Sequence, residues 1–453
     1  MSIELIHPWT GTVDYVYDYI GETEVEHRLH AAAQAASGWA ARSLDERGAL
    51  IRAVAAQLRA QREAIAATMT ADMGKLHREA LVEIEKSAAA CEYYADHAVD
   101  YLRDRMIATE AQRSYVTYEP LGCVFAVMPW NFPIWQVFRF LAPGLMAGNV
   151  AVLKHATNVP RCADAIARVL RDAGIPDGVF GVLHIDNTLS TRVIADPRVK
   201  AVTLTGSERA GSAVASTAGK YLKKCVMELG GSDPFVVLDD ADLDVTIPAA
   251  IASRFGNAGQ TCIAAKRFIV TPGIAEAFVA RFVDAASKLA VGDPSLDTTT
   301  LAPMARADLR DEVHDQVQRS VAAGAKLLLG GTPGQGASHY PATILDHVAT
   351  GMPAYAEELF GPAASILRAR DDDDAVRIAN DTDFGLGASV WTADNIRGEA
   401  VARRLQAGAT FVNAIVRSDV RLPFGGTKTS GFGRELAEHG IHEFMNIKTV
   451  YVA

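Results

Sequence analysis

The sequence predicts an α/β protein built from two doubly wound, mostly parallel sheets in series. From about residue 122, short β-type runs alternate with helical segments, which is typical of βαβ units with helices on both faces of a sheet. Of the 453 residues, 49% are apolar and 22% are charged. This composition provides for large cores and excludes global disorder.

The N-terminal part of the chain, residues 26–105, is predicted to be helical. Ser43 and Glu46 have the spacing of a capping box, in which two side chains satisfy free amide groups at a helix start. Apolar residues then recur at helical intervals, at Leu50, Val54, Leu58 and Ile65. Amphipathic helices of this kind pack one face against a core.

Two series of strands and helices follow. In the first, we expect strands at Cys123–Met128, Val150–Lys154, Val182–Ile185, Ala201–Thr205, Cys225–Leu229 and Phe235–Leu238, with helices at 134–147, 160–174, 188–196 and 209–221. In the second, we expect helices near 242–257, 274–290 and 307–323, and strands near 267–270, 365–368, 388–391 and 409–413. We expect a crevice between the two units.

Residues 112–120 and 447–452 fit neither series, because each is a short alternating segment typical of a lone strand. A lone strand needs a partner edge to satisfy its backbone groups. Another subunit is one source of that edge, so both segments are candidates for a subunit contact.

Charge and cysteine usage narrow the class of protein. The 44 basic and 54 acidic residues leave a net charge of -10, which argues against nucleic acid as the main partner. No signal peptide or membrane-spanning run is visible. The cysteines form no CxxC pair, so we expect neither a disulfide framework nor a metal site; they are Cys91, Cys123, Cys162, Cys225 and Cys262. This usage fits a reducing cytoplasm.

Three polar residues stand in unusually apolar or glycine-rich surroundings: Asn131 in PWNFP, Glu228 in CVMELGG and Cys262 in GNAGQTC. A cysteine nucleophile needs thiolate character, a nearby base, and donors for the oxyanion that forms at a carbonyl. The three residues supply these chemical types at the ends of predicted elements. Taken alone, each is also compatible with a structural role, such as a buried cysteine or a carboxylate cap.

A second group of residues indicates a nucleotide site. Thr205, Gly206 and Ser207 end a predicted strand and Gly211 follows in the next helix, which offers backbone amides to a phosphate. Lys154 ends another predicted strand, and ligands of open α/β sheets bind at such carboxyl ends. The alternatives are an ordinary turn and an exposed lysine.

The chain resembles the aldehyde dehydrogenase superfamily over nearly its whole length. The resemblance rests on seven motifs in the family's order, namely PWNFP (129–133), VLKHATNVP (152–160), TGS (205–207), MELGGSDPFVV (227–237), GNAGQTC (256–262), EELFGP (357–362) and PFGGTKTSGFGRE (423–435). The segments PWNFPIWQVFR and LKHATNVP are particularly similar to the short bacterial succinate-semialdehyde dehydrogenases.

The resemblance implies a mechanism for these residues. Cys262 attacks an aldehyde as thiolate, and the Asn131 amide and the Cys262 backbone N–H hold the oxyanion. After a hydride has passed to the nicotinamide, Glu228 activates water to hydrolyse the thioester. The implied reaction is oxidation of a short semialdehyde acid, succinate semialdehyde to succinate, with NAD(P)+.

The resemblance also implies the cofactor contacts: Ser207 on the pyrophosphate, Lys154 on the adenosine ribose, Glu358 on the nicotinamide ribose, and Pro129, Trp130, Gly206, Gly211, Leu229, Gly230 and Phe360 around them. Many NAD-preferring members carry Glu where this chain has Thr157. A short neutral side chain does not repel a 2'-phosphate, and Lys154 can pair with it. We therefore expect NADP, with NAD and dual use as the alternative.

For the substrate, Arg139 lies eight residues after Asn131. The resemblance implies that Arg139 holds a distal carboxylate, assisted by Ser418, because a guanidinium fork matches a carboxylate. Trp135 and Phe424 are the implied apolar walls. The alternatives are a structural ion pair for Arg139 and ordinary core positions for the two aromatic residues.

The implied domains are a cofactor-binding domain (1–111 and 121–230), a catalytic domain (231–430), and a small β oligomerisation arm with a C-terminal return (112–120 and 431–453). We expect a cytoplasmic homodimer or homotetramer that binds an aldehyde but neither nucleic acid nor membrane. The alternative functions are oxidation of another aldehyde, such as glutarate semialdehyde or an aromatic or aliphatic one, and a non-catalytic binding protein on the same fold.

Overall fold

A computed structural model describes residues 2–334 and 336–453 of the chain. The helices are α1 (Glu22–Ala40), α2 (Leu44–Ala60), α3 (Arg62–Met73), α4 (His77–Leu102), α5 (Trp135–Met146), α6 (Pro160–Asp172), α7 (Asn187–Ala195), α8 (Glu208–Lys220), α9 (Leu243–Phe255), α10 (Ala275–Ser287), α11 (Ala307–Ala322), α12 (Pro353–Ala356), α13 (Asp372–Asn380), α14 (Asn395–Ala402) and α15 (Ala437–His442). The strands are β1 (Ser2–Ile6), β2 (Val13–Asp18), β3 (Arg105–Met106), β4 (Arg113–Pro120), β5 (Cys123–Met128), β6 (Val150–His155), β7 (Phe180–Val182), β8 (Val199–Thr205), β9 (Lys224–Glu228), β10 (Asp233–Val237), β11 (Ala265–Val270), β12 (Lys326–Leu329), β13 (Thr343–Asp346), β14 (Ala363–Arg368), β15 (Gly387–Trp391), β16 (Ala409–Val412), β17 (Gly431–Phe432) and β18 (Met445–Val452).

The first large sheet has six strands in the order β17-β9-β8-β5-β6-β7. Its strands β9, β8, β5, β6 and β7 are parallel, and β17 pairs antiparallel to β9 at one edge. Nearly every residue of β5 and β6 is buried, since helices cover both faces of the sheet. The predicted α/β class with parallel sheets is confirmed here, with an antiparallel edge that the sequence did not indicate.

The second large sheet has seven strands in the order β12-β13-β14-β11-β10-β15-β16. All its pairings are parallel except the one between β12 and β13. On one face, the ring centroid of Phe235 lies 5.0 Å from that of Trp391 and 5.1 Å from that of Phe268. Close aromatic contacts of this kind add to the burial of a large apolar area.

The two segments expected to be lone strands pair with each other. Arg113–Pro120 runs antiparallel to Met445–Val452, and Arg105–Met106 adds a short third strand. The partner edge therefore comes from the same chain, whereas we expected another subunit as one source of it. An alternating pattern indicates that a strand needs a neighbouring strand, but it does not indicate which strand that neighbour is. The role of this three-stranded sheet in a subunit contact stays a prediction.

Some elements differ from the sequence prediction. The hairpin of β1 and β2 was not predicted, nor was the antiparallel pair of β12 and β13. The strand predicted at Val182–Ile185 is Phe180–Val182. These are short or edge strands, where the apolar pattern is weak because one side faces solvent.

The helices α1 to α4 form a layer beside the first sheet. The predicted capping box is confirmed: Ser43 Oγ accepts from the Glu46 N–H at 3.2 Å, and the Glu46 carboxylate accepts from the Ser43 N–H at 2.8 Å. Trp39, at the end of α1, is 2% exposed and its indole N–H donates to Leu145 O at 3.0 Å. This contact ties the helical layer to α5. No helix in the described ranges is long and apolar enough to cross a bilayer.

Trp39→Ala should lower the free energy of unfolding by roughly 3–5 kcal/mol, because it opens a cavity and removes the indole hydrogen bond to Leu145 O. Urea unfolding followed by circular dichroism measures the change. Trp9→Ala makes the same substitution at a partly exposed position and should cost clearly less. An equal loss at both positions would contradict the anchoring role of Trp39.

Candidate active site

A cavity of about 890 Å³ lies between the two large sheets. It is at the carboxyl ends of β5, β8 and β9, where open α/β sheets bind their ligands. The structure brings most of the predicted catalytic and cofactor residues to its wall, namely Pro129, Trp130, Asn131, Gly206, Ser207, Leu229, Gly230, Cys262, Glu358 and Phe360. The other predicted residues lie outside this wall and are described below.

Cys262 follows a loop that a buried arginine holds in place. Arg254 is fully buried, and its Nη2 donates to Gly259 O at 2.8 Å and to Leu359 O at 3.2 Å, with a further short contact to Gly361 O. In the same loop, Asn257 and Ala258 have φ angles of 52° and 53°. Non-glycine residues take these angles at a cost, so the surrounding contacts must impose them.

The surroundings of Cys262 favour the thiol over the thiolate. Burial raises the pKa of Cys262 to about 11, although the positive charges of Arg139 and Lys266 oppose this shift. Lys266 Nζ donates to Cys262 O at 2.8 Å and forms an ion pair with Glu358 at 3.2 Å. Because the thiolate is the reactive form, the thiol must lose its proton before it can attack.

Asn131 lines the same cavity as Cys262. Its Nδ2 donates to Gln260 O at 3.0 Å, which uses one of two amide hydrogens and leaves the other for a ligand. Its backbone oxygen accepts from Lys75 Nζ at 2.8 Å and from Asn257 Nδ2 at 2.9 Å. Hydrogen bonds to its side chain and to its backbone oxygen therefore both hold Asn131 in position.

Lys75 and Glu83 form an ion pair that is buried on both sides, with exposures of 1% and 2%. Glu83 Oε1 accepts from the backbone N–H groups of Ile134 and Trp135, each at 2.9 Å. A carboxylate at a helix N-terminus satisfies free amides and complements the helix dipole. The pair thus positions both Asn131 and the start of α5, and the sequence analysis did not identify it.

Glu228, the last residue of β9, is 2% exposed and lies outside the cavity wall. Among the described residues, neither of its carboxyl oxygens has a hydrogen-bond partner. Burial raises the pKa of Glu228 well above its ordinary value, with Arg139 opposing and Glu435 adding to the shift. Burial therefore favours the neutral acid form of Glu228, and a polar ligand or water reaching it would favour the ionised form.

Arg139 pairs with Glu435 beneath the cavity. The guanidinium is 2% exposed; its Nε forms an ion pair with Glu435, and its Nη2 donates to Thr205 Oγ1 at 3.2 Å. Its Cζ lies 4.7 Å from the ring centroid of Phe424. Of the two roles left open for Arg139, the structure contains the ion pair. A substrate carboxylate would have to compete with Glu435 for the guanidinium, so that role stays a prediction.

Trp135 and Ser418 meet at a different cation. Lys86 Nζ donates to Ser418 Oγ at 2.7 Å and lies 4.2 Å from the ring centroid of Trp135. Neither Lys86 nor Glu435 was identified from the sequence. Glu435 ends the PFGGTKTSGFGRE motif, and a carboxylate closing a glycine-rich segment was the signal that could have found it. Lys86 lies within a helix and carries no comparable signal.

The cofactor residues fit a dinucleotide. Ser207 Oγ caps α8 by accepting from the Ala210 N–H at 3.4 Å, and this helix start adjoins the cavity. A Cβ on Gly211 would lie 2.5 Å from Leu229 Cδ2, so any larger residue there would require the Leu229 side chain to shift. A Cβ on Gly230 would collide with the carboxylates of Glu208 and Glu358, which keeps the backbone open to a ligand.

The nicotinamide end of the proposed cofactor site is aromatic. The rings of Trp130 and Phe360 meet edge to face with their centroids 5.8 Å apart. Glu358 Oε1 accepts from the Gly231 N–H at 3.0 Å, which fixes the carboxylate beside these rings. Apolar rings with one placed carboxylate are suited to a flat ring that carries a hydroxylated sugar.

Lys154 and Thr157 lie away from the main cavity. Lys154 is 8% exposed, and burial lowers its pKa. Thr157 lines a second cavity of about 440 Å³, whose wall shares Arg306 and Asp308 with the first. The two cavities therefore adjoin, and Thr157 lines the second of them. Within the described ranges, no cluster of three or more His, Cys, Asp or Glu side chains could hold a metal ion.

Because the folded-state pKa of Cys262 is about 11, alkylation by iodoacetamide at pH 7 should be slow and should speed up as the pH rises towards 11. Mass spectrometry of the Cys262 peptide measures the rate at each pH. The control is the urea-unfolded chain, in which the same thiol should titrate near about 8.5. A midpoint in the folded enzyme at or below that of the unfolded chain would contradict the burial effect.

Comparison with known proteins places the chain in a family. The profile of the aldehyde dehydrogenase family matches residues 1–450. A succinate semialdehyde dehydrogenase [NAD(P)+], Sad, of Escherichia coli K12 is 48% identical over 98% of this chain and 97% of its own length. A probable succinate-semialdehyde dehydrogenase [NADP(+)] of Synechocystis is 46% identical over the full length of both chains.

Solved structures show the same relationship. Succinic semialdehyde dehydrogenase from Streptococcus pyogenes, in complex with NADP+, superposes with a TM-score of 0.97 at 37% identity over 99% of both chains. Succinate-semialdehyde dehydrogenase from Burkholderia pseudomallei gives a TM-score of 0.97 at 34% identity, over 100% of this chain and 95% of that one. With its fold, its cavity and these matches, the chain belongs to the aldehyde dehydrogenase family.

Proposed function

We propose that this chain oxidises succinate semialdehyde to succinate with NAD(P)+, through a covalent intermediate on Cys262. The observation that carries the proposal is the placement of Cys262 and the Asn131 amide on one cavity wall, beside a cofactor site that fits a dinucleotide. Relatives at 48% and 46% identity that carry this activity in their names support the choice of substrate.

In the proposed mechanism, the Cys262 thiol gives up its proton to water in the cavity, and Sγ then forms a bond to the aldehyde carbon. The carbonyl π bond breaks in this step, and the carbonyl oxygen becomes an oxyanion. The second hydrogen of Asn131 Nδ2 and the Cys262 backbone N–H donate to that oxyanion. When bound, NAD(P)+ supplies the acceptor for a hydride. The thioester that remains on Cys262 is hydrolysed by water from which Glu228 takes a proton, and the thiol and the carboxylic acid are released.

In this proposal, the Arg139–Glu435 pair affects the ionisation of Cys262 and Glu228. The positive charge of Arg139 lowers the pKa values of both Cys262 and Glu228, and thereby favours the thiolate and the carboxylate that catalysis needs. Burial acts in the opposite direction and is the larger effect at both residues. A polar substrate or water that enters the site reduces the effect of burial. The ionised forms of Cys262 and Glu228 then become more favourable.

For the cofactor, we propose NADP with dual use of NAD, since Thr157 is neutral and Lys154 offers a positive charge. We further propose that the first sheet with its helices is the cofactor-binding domain and the second is the catalytic domain. The three-stranded sheet exposes Met106, Ile447 and Tyr451, and these apolar side chains suit a contact in a cytoplasmic homodimer or homotetramer.

Asn131→Ala should lower kcat by roughly 10²–10³-fold, because one of the two oxyanion donors is lost. Turnover is followed by the absorbance of the reduced cofactor with succinate semialdehyde as substrate. Asn187→Ala, at an exposed position on α7, is the matched control and should keep its activity. Near-normal turnover in Asn131→Ala would remove Asn131 from the mechanism.

Thr157→Glu should lower kcat/KM for NADP+ by about tenfold or more, since about 1.4 kcal/mol of repulsion of the 2'-phosphate already has this effect. The value for NAD+ should hold or rise, because the new carboxylate can accept from the ribose hydroxyls. Initial rates with both cofactors measure the ratio, and Thr188→Glu on α7 is the control. Equal changes for the two cofactors would contradict a 2'-phosphate site at Thr157.

A further inference from the structure

Lys266, the second residue of β11, is a buried cation next to the loop that carries Cys262. Its side chain is 1% exposed. Its ammonium donates to Thr261 O at 3.0 Å and to Cys262 O at 2.8 Å, and it forms the ion pair with Glu358. The ion pair compensates the buried charge. It does not account for the two hydrogen bonds to backbone carbonyl groups beside the proposed nucleophile.

Lys266 occupies an irregular position in the second sheet. Ala265 of β11 pairs with Asp233 of β10. The next pair is Arg267 with Pro234, so Lys266 is an extra residue without a partner in β10. Proline has no N–H to donate to a neighbouring strand and is often found where the pairing is irregular. An extra residue of this kind changes the direction of side chains, and such bulges are frequent next to active sites.

The hydrogen bond from Lys266 fixes the orientation of the peptide between Thr261 and Cys262. A trans peptide is planar, and its C=O and N–H groups point in opposite directions. Because Thr261 O faces the Lys266 ammonium, the Cys262 N–H is directed away from Lys266. Among the described residues this N–H has no acceptor, and Cys262 lines the main cavity. The N–H group is therefore available to a ligand in the cavity.

The other donor to Thr261 O does not have the same effect. The Ala264 N–H donates to this oxygen at 3.0 Å. Residues 261–264 form a single turn, so this hydrogen bond moves with the loop and does not fix the loop relative to the sheet. Lys266 belongs to β11, which is paired with β10 and β14. Its ammonium also polarises the carbonyl, which makes the N–H of the same peptide a stronger donor.

The carbonyl group of Cys262 is held at the same place. Lys266 donates to Cys262 O, and a Cβ on Gly231 would lie 2.7 Å from that oxygen. The oxygen is therefore enclosed between the ammonium and the glycine backbone. Lys266 thus contacts the peptides on both sides of the Cys262 Cα, and these contacts restrict the direction of the Cys262 N–H.

We propose that Lys266 is a positioning residue for the oxyanion site: it holds the peptide before Cys262 so that the Cys262 N–H donates to the oxyanion together with the Asn131 amide. This inference rests on the proposed oxidation of an aldehyde through Cys262. Lys266 itself lies outside the wall of the main cavity. It therefore acts on the reaction through a backbone N–H and not through contact with the aldehyde.

The test compares two reactions of the same Cys262 thiolate. Oxidation of succinate semialdehyde forms an oxyanion, whereas alkylation by iodoacetamide displaces iodide from a saturated carbon and forms none. In Lys266→Met, the lost positive charge lowers the thiolate fraction and slows both reactions by the same factor. The ratio of kcat/KM for the aldehyde to the alkylation rate, at one pH and with saturating NADP+, should fall roughly ten- to a hundredfold. This is less than the effect of removing an oxyanion donor outright.

Three variants and an alternative background accompany this comparison. Asn131→Ala removes the other proposed donor and should lower the same ratio. Lys326→Met, at an exposed lysine on β12, is the matched control and should keep the wild-type ratio. Lys266→Arg keeps the cation and should recover part of the ratio. If circular dichroism shows that Lys266→Met does not fold, the substitution is made in Glu358→Gln and compared with that variant, because no unpaired buried carboxylate then remains.

The possible outcomes separate this inference from the proposed function. If the wild-type enzyme oxidises succinate semialdehyde and Lys266→Met keeps the wild-type ratio, the positioning role is refuted and the proposed function stands. A higher KM for NADP+ with an unchanged kcat would limit Lys266 to holding Glu358, and would also overturn the inference. If the wild-type enzyme oxidises no aldehyde, both fail. If it oxidises butanal but not succinate semialdehyde, the proposed substrate fails, and the same ratio measured with butanal supports or refutes the inference.

Discussion

The buried ion pair between Lys75 and Glu83 is the contact on which the rest of the site depends. Lys75 holds the backbone oxygen of Asn131, and Glu83 closes the amino end of α5. Both residues come from the helical layer, whereas the groups that they position belong to the first sheet and its connections. Removing one partner would leave an uncompensated charge in the interior, which is far costlier than losing an exposed pair.

The ionisation of Cys262 and Glu228 depends on two opposing effects, burial and nearby positive charge. Burial raises the pKa of both Cys262 and Glu228. The positive charge of Arg139 opposes this shift at both residues, and that of Lys266 opposes it at Cys262. A thiol that is unreactive without substrate is protected from oxidation and alkylation. The same low-dielectric surroundings strengthen each hydrogen bond to an oxyanion once the substrate has displaced water.

The sequence predicted the architecture better than the site. Strands such as β5 and β6 are buried on both faces, so their apolar runs are continuous, and the Ser43–Glu46 capping box is a local signal. The Arg139–Glu435 and Lys86–Ser418 contacts join residues far apart in the chain, and no local pattern encodes such a pairing. For the same reason, the mutual pairing of β4 and β18 could not be foreseen, although each strand was.

The last segment of the chain adds strands to two sheets whose other strands come earlier in the chain. Gly431–Phe432 pairs with β9 at Met227 and Glu228, Glu435 neutralises Arg139, and β18 pairs with β4. During synthesis, a ribosome-bound chain that ends before these residues therefore lacks the ion-pair partner of Arg139 and the edge strand beside Glu228, even where its earlier strands have already paired.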